Sequence, residues 1–403
     1  MDDADLKRSL ASVVVPGELE ARRRSWSVVR SVFEERERVP RARARNWPVL
    51  ALAGAAIVIA AAITPPGRAV LGDVRDAIGR EQVIGVEGAQ PSLFSLPTRG
   101  DVLVDSARGP WIVRPDGGKR LLGRYEQASW SPFAQFVVAS RGNELVALER
   151  DGDVRWSLAR RNARHPRWSG TRTDTRIAYL SGRSLRVVAG DSMGDGVLVS
   201  RVADVAPAWQ PGGAHVLAFA LPNGRVRVID ADSSDVTAGW DAGRPEQLAF
   251  SADGSLVATR AGRSLSVHTV QGLRRATITA PVPGGEAGQV LARFLDAAFA
   301  PTLDTLAYTT HDAAGGRSAV WTIANGGRGP RQQLFAGAGR MTDVEWSPDG
   351  RWLLVAWETA NQWVFVRPGD GATKIVARSS ITEQLNGAAA NAEFPHISGW
   401  CCP

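Results

Sequence analysis

A chain of 403 residues is too long for one small core and would ordinarily divide into two or three domains, unless a repeat spreads the core along the sequence. Its 42 glycines and 23 prolines, with Asp-Gly and Asn-Gly pairs scattered through the second half, describe a backbone that turns often and favour an all-β class. The net charge of +7 raises nucleic acid or an anionic membrane as partners, but arginine is spread along the chain apart from one dense run, a bias that a GC-rich genome explains, and no nucleic-acid partner is expected.

The first 45 residues mix charges with a few apolar side chains. Val29, Val32 and Phe33 share a helical face between Glu18 and Arg38. Such a helix would dock on a partner or lie on a membrane surface; a disordered tail that only carries a topology signal is the plain alternative. From Trp47 to Ile63 the chain then runs seventeen residues without a charge, closed by Thr64-Pro65-Pro66. At about 1.5 Å per residue this spans roughly 26 Å, enough to cross a bilayer. A buried soluble helix would need cover on every side, which an all-β chain does not supply. A cleaved signal peptide is disfavoured by the polar residues ahead of it and by the lack of an Ala-x-Ala site directly after it.

Arg36, Arg38, Arg41, Arg43 and Arg45 precede the span, whereas Arg68 and Arg75 after it are offset by Asp73 and Asp76. The basic flank stays inside. The expected layout is a cytoplasmic segment over 1–45, one transmembrane helix over 46–64, a juxtamembrane connector over 65–90 and an extracytoplasmic domain over 91–403. Trp47 fits an anchor at the inner leaflet. In the connector, Val70, Val74 and Ile78, with Leu71 beside them, predict a short amphipathic helix ending near Gly79.

Beyond residue 91 an aromatic followed by a small residue and a turn recurs. It stands at Phe94-Ser95-Leu96-Pro97, Trp130-Ser131-Pro132, Trp168-Ser169-Gly170, Trp209-Gln210-Pro211, Phe250-Ser251-Ala252, Phe299-Ala300-Pro301 and Trp346-Ser347-Pro348-Asp349-Gly350. The intervals are 36, 38, 41, 41, 49 and 47 residues. Each anchor is followed by an apolar run such as FVVAS or WLLVAW, and most by a second β-rich run such as Leu145–Leu148, Val226–Ile229 or Trp363–Val366. One β-meander per repeat of about 40 residues is the signature of a β-propeller. The aromatic is expected between adjacent blades, and Pro-Asp-Gly to reverse the chain. Seven anchors imply seven blades, with six or eight as the alternatives. The segment Phe394–Trp400 reads as a closing strand that pairs the C-terminus into the first blade and leaves no open edge.

The pattern resembles the TolB-like and WD-repeat propellers, in which Trp-Ser-Pro-Asp-Gly recurs; here it is complete only at Trp346–Gly350. The resemblance spans about residues 91–400 and implies a fold rather than a chemistry.

Catalytic motifs are absent or misplaced. Gly190-Asp191-Ser192-Met193-Gly194 matches a hydrolase nucleophile elbow, which requires a helix after the serine, whereas both flanks here read as strand. A hairpin turn is expected there, and another at Asp151-Gly152-Asp153. His165, His215, His268, His311 and His396 are widely spaced, with no zinc pattern, and no phosphate-cradling loop occurs. Cys401 and Cys402 would form a vicinal disulfide, an intermolecular bridge or free thiols, none with a catalytic role. No catalytic, cofactor-binding or metal-binding residue is therefore assigned.

Loops that lengthen the repeats mark candidate binding surfaces. They are residues 279–296, with a helical turn expected around Val290–Leu295, and residues 380–393; a solvated loop without a role is the bland reading of each. The reading that follows is a non-enzymatic, membrane-tethered propeller that binds or senses an extracytoplasmic protein, peptide or glycan. A transmembrane signalling regulator is the alternative, because the layout is similar to that of single-pass anti-sigma factors, although residues 1–45 lack the His and Cys of the zinc-type members. A propeller enzyme is the third reading, and no motif supports it.

Overall fold

The computed structural model describes residues 95–402 apart from 172, 213–214, 281–291, 370–372 and 388–391. The expected cytoplasmic segment, membrane span and connector lie outside the described residues, as does Phe94. Among the described residues no helix is long and apolar enough to cross a membrane.

The chain folds into seven four-stranded antiparallel sheets. Blade 1 joins β1 (Asp101–Asp105), β2 (Trp111–Val113) and β3 (Lys119–Leu121) to the last strand, β28 (His396–Cys401). Blade 2 holds β4 (Gln127–Trp130), β5 (Phe136–Arg141), β6 (Glu144–Glu149) and β7 (Val154–Ala159). Blade 3 holds β8 (Ala163–Gly170), β9 (Thr175–Ser181), β10 (Ser184–Ala189) and β11 (Gly196–Val199). Blade 4 holds β12 (Ala208–Trp209), β13 (Val216–Ala220), β14 (Arg225–Asp230) and β15 (Val236–Asp241). Blade 5 holds β16 (Gln247–Phe250), β17 (Leu256–Ala261), β18 (Ser264–Thr269) and β19 (Arg274–Thr279). Blade 6 holds β20 (Arg293–Phe299), β21 (Leu306–Asp312), β22 (Arg317–Ile323) and β23 (Arg331–Ala338). Blade 7 holds β24 (Met341–Trp346), β25 (Leu353–Trp357), β26 (Gln362–Arg367) and β27 (Lys374–Ser379).

The innermost strands touch in sequence from β28 through β4, β8, β12, β16, β20 and β24 back to β28, so the blades form a closed ring. With the strands of each blade called A to D from the centre outward, A–B turns and C–D hairpins lie on one face, here the lower. B–C hairpins and D–A connections lie on the upper face.

The core is divided into seven apolar clusters, one at each interface between blades. Each strand A delivers its anchor aromatic onto the preceding blade: Trp130 packs with Leu103 and Ile112, and Trp346 with Ala307 and Val320. The seventh anchor is Trp400 of β28, packed on Leu354 and Phe365 of blade 7. The count of seven thus stands with Trp400 supplying the inner strand that Phe94 was expected to mark. The closing strand pairs β28 with β1, Val102 opposite Trp400, as the repeat predicts.

The small residue after the anchor has a defined task. Ser347 Oγ accepts the Trp352 N–H at 2.9 Å and donates to Asp349 at 2.5 Å, and Ser251 repeats this with Leu256 and Asp253 at 3.0 and 2.6 Å. Gly350 then turns the chain at φ +66°, a conformation that suits glycine. Ser192 lies in the hairpin between β10 and β11, and Asp151-Gly152-Asp153 in that between β6 and β7, both as expected.

Two expectations are corrected or extended. Arg293–Leu295 belong to β20 and not to a helical turn, because the edge of this strand completes the inner ring; Val290 lies outside the described residues. Residues 380–393 are not merely a solvated loop: they carry the helix α1 (Ile381–Asn386), whose Ile381 and Leu385 are fully buried in the cluster between blades 7 and 1. Cys401 and Cys402 are joined in a vicinal disulfide.

Candidate functional site

Strand A of every blade is a sheet edge, and its channel-facing N–H groups have no strand to pair with. Side chains of the preceding blade supply the acceptors for many of them. Asp105 accepts the Ala128 N–H at 3.2 Å, Gln127 the His165 N–H at 2.6 Å, Gln247 the Ala297 N–H at 3.1 Å, Asp296 the Val344 N–H at 2.7 Å and Asp343 the Ile397 N–H at 3.0 Å. The two remaining steps are closed differently. Trp209 Nε1 donates to Arg167 O and Gln210 Nε2 to Gly254 O, both at 2.9 Å. All seven interfaces are thereby cross-linked around the channel.

These polar side chains place charge in a half-enclosed space. Burial pushes Asp105 up to about 6, and burial with the neighbouring Asp343 charge does the same to Asp296. Glu345 is pushed up to about 8, first by burial and then by Asp296. His396 rises to about 9 because Asp343 bonds its ring. Arg167 stands among the carboxyl groups and offsets part of their repulsion.

None of this is arranged for nucleophilic chemistry. Ser398 donates to Asp105 at 2.6 Å, whereas His396 pairs with Asp343 at 3.4 Å, so hydroxyl and imidazole serve different carboxylates. Ser318 does meet His311 at 3.0 Å, yet it is fully buried and its hydroxyl donates to Gly339 O at 2.8 Å. His165, His215 and His268 stand on three further blades, and among the described residues no cluster could hold a metal ion. Ser192 has no imidazole within hydrogen-bond reach among the described residues, and strands flank it on both sides.

The upper face has a different character. Both lengthened loops emerge there: residues 280–292 connect β19 to β20, and residues 380–395 connect β27 to β28. Helix α1 in the second is pinned by Asn361, which accepts the Thr382 N–H at 2.9 Å and donates to Glu383 at 2.8 Å. Arg124, Arg161, Arg183, Arg201, Arg244 and Arg263 stand exposed in the B–C and D–A loops of blades 1 to 5. None of the six has an ionic partner among the described residues. Nearby arginines are paired: Arg164 with Asp204 at 2.8 Å and Arg293 with Glu246 at 2.7 Å.

On the lower face a cavity of about 440 Å³ opens at the channel mouth, lined by Trp168, Trp209, Pro132, Pro207 and Pro211 among others. Sequence reasoning did not single out the channel residues. A signal existed, because Gln127, His165, Gln247, Asp296 and Asp343 each stand three residues before an anchor aromatic.

No family profile matches the sequence, and no curated protein matches it. Solved structures do match by shape. A candidate 6-phosphogluconolactonase from Bacteroides uniformis aligns at 14% identity over 70% of this chain and 97% of its own, with a TM-score of 0.51. One from Bacteroides fragilis aligns at 13% identity over 76% and 99%, also with a TM-score of 0.51. The C-terminal WD40 domain of Sif2 aligns at 12% identity over 68% and 80%, with a TM-score of 0.48. At such identities the likeness to the two Bacteroides proteins is one of fold, and the fold is that of a β-propeller.

Proposed function

We propose that this protein is a non-enzymatic propeller, tethered to a membrane by residues 46–64, that binds an acidic protein, peptide or glycan on the extracytoplasmic side. The observation that carries this reading is the upper face, where six exposed arginines without ionic partners among the described residues share one surface with helix α1 and the strand ends joined by residues 280–292. Unpaired guanidinium groups on rigid loops are suited to carboxylates and sulfates, which they can grip with two parallel hydrogen bonds. The channel polar groups, by contrast, are occupied in holding the ring together.

The test is cross-linking in intact cells with affinity capture, comparing the native chain with an Arg161→Glu, Arg183→Glu, Arg263→Glu variant and with a chain lacking residues 1–45. Loss of an extracytoplasmic partner in the charge-reversed variant supports the reading. Unchanged capture by that variant removes it. A regulator captured only when residues 1–45 are present would instead favour the signalling alternative. Turnover of a sugar lactone by the native chain would overturn the non-enzymatic assignment.

A further inference from the structure

We propose that the lower face of the propeller rests on the lipid bilayer, so that the tethered domain is held with its arginine-bearing face outward. This rests on the membrane-tethered reading above and goes beyond it by assigning the contacting surface.

Among the described residues seven large apolar side chains are exposed, and strand polarity puts every one on the lower face. Met193 (68% exposed), Leu273 (70%), Val154, Val197 and Val236 lie in or just after the C–D hairpins of blades 2 to 5. Leu303 (65%) lies in the A–B turn of blade 6, and Phe133 in that of blade 2. Single exposed apolar residues are ordinary on a protein surface, but confinement of all of them to one face is not. The cavity with Trp168 and Trp209 opens on this face too.

The chain also reaches the propeller on this side. The Leu96 N–H donates to Pro115 O in the C–D hairpin of blade 1 at 2.9 Å, and Thr98 Oγ donates to Asp349 in the A–B turn of blade 7 at 2.9 Å. Residue 64 follows the apolar run, so the connector to Ser95 is 64–94; fully extended it would reach about 100 Å. The tether alone therefore does not press the domain onto the membrane. The apolar tips do, by entering the boundary between headgroups and acyl chains. Arg274, exposed beside Leu273, pairs a cation with an apolar tip, as interfacial segments do, whereas Arg155 beside Val154 is held by Glu149 at 3.4 Å. In these hairpins Asp151, Asp191 and Asp230 each accept a backbone N–H of their own turn, from Asp153, Met193 and Asp232, while Asp153 and Asp235 stand exposed.

The test uses the full chain in phosphatidylcholine vesicles containing a minority of phosphatidylglycerol. Single cysteines at Met193→Cys and Leu273→Cys on the lower face, and at Arg161→Cys and Arg263→Cys on the upper, carry a fluorophore; Cys401 and Cys402 are disulfide-bonded and are left unreduced. Lipids bearing a spin label at the top of the acyl chain are expected to quench the lower labels roughly twofold or more beyond the upper ones. Equal quenching in protein that stays with the vesicles through an alkaline carbonate wash overturns the contact and leaves the tether standing. Release of the protein by that wash overturns both.

Discussion

Replacing Glu345 by Gln should make the propeller progressively more stable than the native chain as pH rises. Glu345 stands in the channel near Asp296 and Asp343, and its carboxyl group is pushed from 4.5 up to about 8, first by burial and then by the Asp296 charge. Below pH 4.5 folded and unfolded chains both hold the proton. Between that value and about 8 the unfolded chain has lost it and the folded chain retains it, so stability falls as pH rises. At 1.36 kcal/mol per pH unit the whole interval would cost about 5 kcal/mol. The side chain keeps part of its surface open to channel water, which screens the charge, and about 1–2 kcal/mol is the expected burden. Glutamine has no proton to lose and keeps an oxygen for the Trp400 N–H that the carboxylate now accepts. With about 2.1 cal/mol/K of unfolding entropy per residue over roughly 300 residues, the gain is about 2–3 °C in Tm. Thermal unfolding of both chains at pH 5 and pH 8.5 reads it. An advantage that is the same at both pH values, or larger at pH 5, would refute the reasoning.

Four further outcomes follow from the same structure. Asp343→Asn should bring the His396 pKa down from about 9 toward its ordinary value, because the hydrogen bond to Asp343 is the largest cause of the rise; the His396 ring proton shift measures it by NMR. The native pair gives stability that is full below pH 6.5 and lost as pH climbs through 9. Ser347→Ala leaves the buried Trp352 N–H without its side-chain acceptor and should cost about 1–3 kcal/mol in denaturant unfolding. Deleting residues 396–403 removes strand A of blade 1 and the Trp400 contact, itself worth about 3–5 kcal/mol by truncation; loss of a single cooperative transition is expected, with native-like melting the contrary result. Ser192→Gly relieves a residue held at φ +74° and should leave the chain equally or slightly more stable, by up to about 1 kcal/mol, with no change in any ester hydrolysis.

The fold was legible where it depends on local chemistry. At Trp130, Phe250 and Trp346 an aromatic, a serine and a tight turn form the end of an inner strand, where the serine bonds a backbone N–H five residues on, as Ser347 does with Trp352. Repeating that unit every 40 residues or so sets the blade count, and the C-terminal tryptophan revealed the closure. The helical turn expected near Val290–Leu295 failed because Arg293–Leu295 belong to the inner ring, and position in the ring outweighs local pattern. Helix α1 was not foreseen, since its apolar face is only Ile381 and Leu385 and acquires meaning against blades 7 and 1.

Function divides along the same line. The apolar run at Trp47–Ile63 and its basic flank are contiguous in sequence and can be read there. The channel cross-links are not contiguous, for Gln247 meets Ala297 fifty residues away and Ser398 meets Asp105 across 293. Each polar residue three places before an anchor looks like an ordinary strand residue until the ring sets it against the next blade's open edge. The two faces are likewise a product of assembly: arginines from five blades gather above, and apolar tips from four C–D hairpins below, because antiparallel blades point all equivalent turns the same way. Sequence determined the repeat unit and its number, since both are written in neighbouring residues. Closure of the ring decided which distant residues share a surface, since only then do side chains hundreds of positions apart come within reach of one partner.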